Sequence, residues 1–162
     1  MRAALGVVGA VVGIGVLALA VLVGGMRWKV GPVLDAVRRL NRSVTNPRVM
    51  RTAGSVDTPT SLIRHVGRAS GRTYETPVDT IDTGDGILIA LPYGTRADWV
   101  RNVLAAGSAT VVSRGGSFGV EAPVITSTDE VVDRIPARTR TVLRLFGVTE
   151  CLYLARSADG PG

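Results

Sequence analysis

His65-Val66-Gly67-Arg68-Ala69-Ser70-Gly71-Arg72-Thr73-Tyr74 is the stretch from which the fold is read. An alternating strand pattern runs into it and a second strand leaves it, so it joins two neighbouring antiparallel strands. Ala69-Ser70-Gly71 supplies small residues and tolerance of positive φ, which predicts a two-residue hairpin loop. Arg68 and Arg72 flank that turn. Two forked guanidinium groups beside exposed turn amides make a cradle for a phosphate or carboxylate.

The first strand covers Ser61 to Val66 and the second Thr73 to Ile81. Pro77 inside the second marks an edge, a bulge or a cofactor-facing break. The turn Asp82-Thr83-Gly84-Asp85-Gly86 leads to a wholly apolar, hence central, strand from Ile87 to Leu91. Pro92-Tyr93-Gly94 then opens into a helix from Arg96 to Ala106, closed by Gly107. Trp99 and Asn102 lie three apart on one face of it. Thr110 to Ser113 and Phe118 to Ile125 form a hairpin through Gly115-Gly116. Thr128 to Leu145 is helical at both ends and broken by Pro136, and Glu150 to Ala155 is the last strand. Six short strands, two interspersed helices and few βαβ crossovers predict a small antiparallel barrel with short helices.

The N-terminal part has another character. Ala3 to Gly25 carries no charge, and at ~1.5 Å per residue such a run spans ~30 Å of hydrocarbon as a helix. Residues 1–26 are therefore expected to form a single-pass membrane anchor, with a cleaved signal peptide ending near Ala18-Leu19-Ala20 as the rival. Gly9 and Gly13 form a GxxxG within it. Residues 27–58 form a basic juxtamembrane helix and linker, with Pro32 to Leu40 amphipathic and lying on the membrane or over one end of the domain. Residues 59–156 form the barrel, and 157–162 a disordered tail.

The net charge of +6 and pI near 10.6 arise almost wholly from the juxtamembrane segment. Between Met26 and Thr52 seven basic residues face one acid; from Ala53 on, eleven Arg face twelve Asp and Glu. That asymmetry predicts a plasma-membrane protein facing the cytoplasm, with anionic headgroups as partners. It argues against nucleic acid, as does the 4% aromatic content. One Cys and one His cannot assemble a zinc site, and no metal is expected. His65 is read as a hydrogen-bonded strand residue.

With these pieces in order, the chain resembles the deazaflavin-dependent nitroreductase family of actinobacteria, split β-barrel proteins that bind coenzyme F420. The resemblance covers Arg42 to Arg156. It rests on Gly67-Arg68-Ala69-Ser70-Gly71-Arg72, Thr76-Pro77-Val78 and Asp98-Trp99-Val100-Arg101-Asn102-Val103-Leu104. It implies that Arg68, Ser70, Arg72, Arg96 and Arg101 hold the anionic cofactor tail, with Arg101 alternatively facing solvent. It further implies that Thr76, Pro77 and Val78 meet the polar edge of the ring. Tyr93 and Trp99 wall the ring, and Asn102 orients a backbone or cofactor group. FMN fits the pattern less well.

Studied members carry substrate-facing tyrosines between the last helix and the last strand, whereas Arg138 to Gly147 has none. The proton must then come from water, Tyr74, Tyr93 or Tyr153, with Tyr93 and Tyr153 as the donor candidates, or the substrate must need none. Leu143 and Phe146 are the expected substrate contacts. The implied function is hydride transfer from reduced F420 to a hydrophobic acceptor such as a quinone or nitro compound. The alternative is a tethered barrel that binds cofactor or fatty acid without turnover. A homodimer is possible in such barrels.

Overall fold

A computed structural model of the chain describes residues 17–40 and 46–158. Strands β1 (Thr60–Val66), β2 (Thr73–Asp82), β3 (Gly86–Ala90), β4 (Ser108–Ser113), β5 (Gly116–Ser127) and β6 (Glu150–Arg156) close into an antiparallel barrel, in the order β1-β2-β3-β6-β5-β4. The helices are α1 (Leu17–Arg27), α2 (Gly31–Leu40), α3 (Asn46–Val49), α4 (Asp98–Ala106) and α5 (Ala137–Leu145), with a 3-10 turn at Val132–Arg134. All six expected strands are present.

Period-two alternation sorts the strand residues. Ile63, Val78, Ile87, Ile89, Val111, Val120, Leu152 and Leu154 form the barrel's core, with Val100 and Val103 of α4 packed into it. Full burial of each such side chain contributes about 1.5–3 kcal/mol relative to exposure. The opposite parity of β3 and β6 sends Leu88 and Cys151 outward, where they meet Ile135, Leu143 and Val148. Helix α5 thus covers the outer face of β3 and β6. Pro136 precedes α5 as its N-cap, which is why the expected break falls there.

The barrel parts on one side. β2 pairs with β1 from Thr73 to Asp79, but with β3 only from Thr80 to Asp82. β3 meanwhile continues beside β6, and Leu91 N–H still donates to Glu150 O at 3.0 Å. The flank of β2 from Thr73 to Asp79 is therefore left without a strand among the described residues. Pro77, which has no N–H to offer, sits in that flank. The expectation of an edge at Pro77 is met.

The β1–β2 connection is wider than the two-residue loop expected. Val66 pairs with Thr73, and Gly67 to Arg72 make the turn. Gly67 N–H donates to Arg72 O, while Gly71, at φ 64°, reaches back to Gly67 O. Helix α4 supplies the reason: its Asn102 binds the Arg68 backbone N–H at 3.2 Å and draws the loop over the barrel end. Gly107 ends α4 at φ 73° with its N–H on Val103 O, as its sequence position predicts.

Most of the expected membrane anchor, including Gly9 and Gly13, lies outside the described residues, as does most of the expected tail. Among the described residues no single helix is long and apolar enough to cross a membrane. α1 together with Gly31–Val37 meets length and composition, but with a 109° bend. Gly25 permits that elbow, because a Cβ there would approach Val33 Cγ1 to 2.6 Å. Arg27 Nη1 donates to Arg144 O at 2.6 Å, fastening the elbow to the end of α5. Gly147 makes room for it, since a Cβ at that position would sit 2.9 Å from Arg27 O. The amphipathic reading of α2 holds for Leu34, which is buried, Val33 and Val37, which are half-buried, and Asp35 and Arg39, which are exposed. Leu40, expected on the apolar face, is exposed.

Candidate functional site

Where β2 and β3 part, a cleft of about 1150 Å³ opens. Thr76 and Pro77 of β2 form one wall, and Tyr93, Gly94, Trp99 and Asn102, from the β3–α4 segment and α4, form the other. The Gly67–Ser70 loop closes one end, and Lys29 and Leu34 of the α1–α2 elbow contribute to the rim. Trp99 also packs against the barrel core, so its ring is held from behind.

The floor is a hydrogen-bonded chain. Asn102, 7% exposed, accepts at Oδ1 from the Arg68 backbone N–H (3.2 Å) and from Arg68 Nη1 (2.8 Å). Both are obligate donors, so the amide orientation is fixed and Nδ2 faces His65 Nδ1 at 3.3 Å. Nδ1 then accepts, and Nε2–H of His65 donates to Thr76 Oγ1 at 3.2 Å. His65 is 4% exposed and stacks against Tyr74 with ring centroids 6.0 Å apart. Burial pushes its pKa below the usual imidazole value.

Charges around the cleft are partly spent inside the protein. Arg68 Nη2 pairs with Asp98 Oδ1 at 3.0 Å and Nη1 reaches Asp98 O at 3.3 Å, so its guanidinium braces the start of α4. Glu75 is held by Arg64 at 2.6 Å. Arg96, Lys29 and Glu150 line the cleft with no ion pair among the described residues. Ser70 Oγ lies 3.1 Å from Tyr74 Oη and accepts from Arg72 N–H at 3.3 Å. Gly67 is needed beneath them, because a Cβ there would come within 2.6 Å of Ser70 Oγ and of the Tyr74 ring.

Of the residues read from sequence, Arg68, Ser70, Thr76, Pro77, Tyr93, Arg96, Trp99 and Asn102 meet at this cleft. The others do not. Val78 points into the core, one strand position past Pro77. Arg72 and Arg101 are exposed and outside the cleft, Arg101 on the solvent side of α4. Tyr153 shares the outward parity of Cys151, packs on the layer under α5, and lies beneath Arg134 at 5.9 Å. Leu143 is buried in that same layer and Phe146 packs against it, so neither reaches the cleft. Tyr74, one of the proton sources considered from sequence, also lines the cleft; residues the sequence did not point to are His65, Lys29 and Leu34. His65 shares the strand parity of Ile63, which was the available signal.

No family model matches this chain, and no curated protein does. Solved structures do. An F420-H2 dependent reductase, FDR-A, is 13% identical over 59% of this chain and 93% of its own, with a TM-score of 0.41. The chain resembles F420-dependent reductases of known structure. It is also similar to HutZ, the haem storage protein of Vibrio cholerae, at 11% identity over 70% of this chain and 90% of that one, TM-score 0.48. The Agrobacterium tumefaciens protein Atu2129, of unknown function, is 18% identical over 69% of this chain, with a TM-score of 0.46. This chain spans 55% of that protein's length. Such values do not choose between ligands; the residues of the cleft must do so.

Proposed function

We propose that the protein is a membrane-anchored, F420-dependent oxidoreductase that passes hydride to a hydrophobic acceptor such as a quinone or nitro compound. The observation that carries this reading is the strand-free flank of β2 facing Trp99 and Tyr93 across the cleft. A planar heterocycle fits such a slot, taking backbone and hydroxyl hydrogen bonds from one wall and apolar contact from the other. Arg96, uncommitted among the described residues, is the better candidate for the anionic tail, with Ser70 and the loop amides beside it. Arg68 supports them by holding the loop to α4. FMN offers a similar ring and is the competing cofactor.

The deazaflavin, when bound, supplies the hydride, and the chain positions it and excludes water. Tyr93, at the cleft, takes over as the proton-donor candidate from Tyr153, which lies on the far side of β6. The acceptor would meet Leu34 and Lys29 of the elbow in place of Leu143 and Phe146. Exposed Trp28 and Val30 flank Lys29 in sequence, as an apolar surface beside a lipid phase would require.

Anaerobic incubation of the full chain in lipid nanodiscs with reduced F420 and menaquinone analogues tests the reading. Cofactor oxidation at a rate above the protein-free control is expected. Tight cofactor binding without oxidation by any quinone or nitroarene would make the protein a tethered binder.

A further inference from the structure

Beyond the anchoring of Arg68 by Asn102, the function just described makes no use of the His65–Asn102 pair, yet it is the most buried polar contact beside the cleft. Its hydrogen-bond logic is closed at one end and open at the other. Arg68 supplies two donors to Asn102 Oδ1, so the amide cannot turn round without leaving both unsatisfied. Asn102 Nδ2 must then donate to His65 Nδ1, which leaves the imidazole proton on Nε2. Nε2–H faces Thr76 Oγ1, so that oxygen is occupied as an acceptor. The Thr76 hydroxyl proton has no other partner among the described residues, and Thr76 lines the cleft.

We propose that His65 is a positioning residue whose fixed tautomer commits the Thr76 hydroxyl to donate into the cleft, and so selects a ligand that presents a carbonyl or other acceptor atom there. The ligand assignment rests on the proposed function; the relay itself does not. A protonated His65 would carry N–H at both ring nitrogens and would oppose Asn102 Nδ2, donor against donor. The groups that face the ring are Thr76 and Tyr74 from β2, Asn102 from α4, and, one contact further out, Arg68 with Asp98. Acid would therefore break the relay from the Asn102 side and loosen the Arg68 loop with it.

The chain has a single histidine, so its imidazole signals are unambiguous. Long-range ¹H–¹⁵N spectra of the full chain in detergent micelles should show one neutral Nε2–H form at pH 7. An Nδ1–H tautomer, a rapidly averaging ring or a charged ring at that pH would overturn the relay. For the cleft end, F420 is titrated into wild type, Thr76→Val and Thr76→Ser. Valine should weaken binding about three- to tenfold and serine should restore it. Wild-type affinity should also fall on acidification more than that of Thr76→Val, with the ligand's own titration common to both. Equal affinity of Thr76→Val and wild type across pH would overturn the donor assignment. If wild type bound no deazaflavin, the proposed cofactor and the ligand assignment would fall, while the imidazole spectra would still decide the relay.

Discussion

The two ends of the β2–β3 boundary differ in almost every respect. At the paired end, Thr80, Ile81 and Asp82 match Ile89, Leu88 and Ile87, and a tight turn at Thr83–Gly86 closes the strands. Surface ion pairs, Arg156–Asp82 at 3.1 Å and Arg134–Asp85 at 3.3 Å, sit over that turn. The hydrogen bond from Thr83 and the nearby Arg134 lower the Asp85 pKa. At the parted end the same strand keeps β1 on one side but has no strand on the other among the described residues. A cleft lined by side chains of the β1–β2 loop, the β3–α4 segment and α4 opens there. Pairing satisfies backbone groups with other backbone; parting leaves them for a ligand. Backbone pairing is concentrated in the first region and cleft-lining side chains in the second.

The largest effect is expected in the barrel core. Leu152, fully buried, lies in β6 beside Ile89. Leu152→Ala is expected to lose about 2–5 kcal/mol of unfolding free energy, read by chemical denaturation. Arg96→Ala should do the reverse: leave stability within about 0.5 kcal/mol while weakening F420 binding by roughly 1.5–3 kcal/mol, the range for a charged hydrogen bond. Equal losses of stability in both variants would erase the distinction.

Arg68→Ala belongs between the two, because its guanidinium serves Asn102 and Asp98. A stability loss of about 1 kcal/mol is expected, since Asp98 is largely exposed and the ion pair itself is weakly stabilising. Acid should also act first at the parted end. The folded pKa of His65 lies below its unfolded value of 6.5, so the unfolded chain binds the proton more readily. Its contribution to stability is full above that value and is lost as pH falls through it toward the folded pKa. Thermal melts of wild type and His65→Gln between pH 7 and pH 5 should converge on acidification. Smallest of all is the expected response at Cys151, whose burial under α5 pushes its pKa up to about 11. It should resist alkylation in the native state and react only on unfolding.

The sequence carried the barrel well because its signals are local. Gly107 capped α4, Pro136 set the start of α5, and alternation marked the strands. The placement of Trp99 and Asn102 at one cleft also followed from helical spacing. What failed depended on which side of a strand faces which layer. Tyr153 and Leu143 occur where a substrate wall was expected in sequence, yet the parity of β6 turns Tyr153 outward and α5 buries Leu143 over it. A bulge in β5, with Ala122 at φ 50° between the Glu121 and Val124 pairings, had no glycine to announce it. The role of Arg68 was misweighted for a related reason. A guanidinium beside a turn reads as free until the helix that neutralises it is folded against it.

The parted end is proposed to be a deazaflavin site. Fluorescence titration of the full chain in nanodiscs with oxidised F420, and with FMN in parallel, tests it most directly. Saturable F420 binding that weakens in Arg96→Ala, with little or no FMN binding, is the predicted result. A folded protein that leaves F420 fluorescence unchanged, or that prefers FMN, would contradict it.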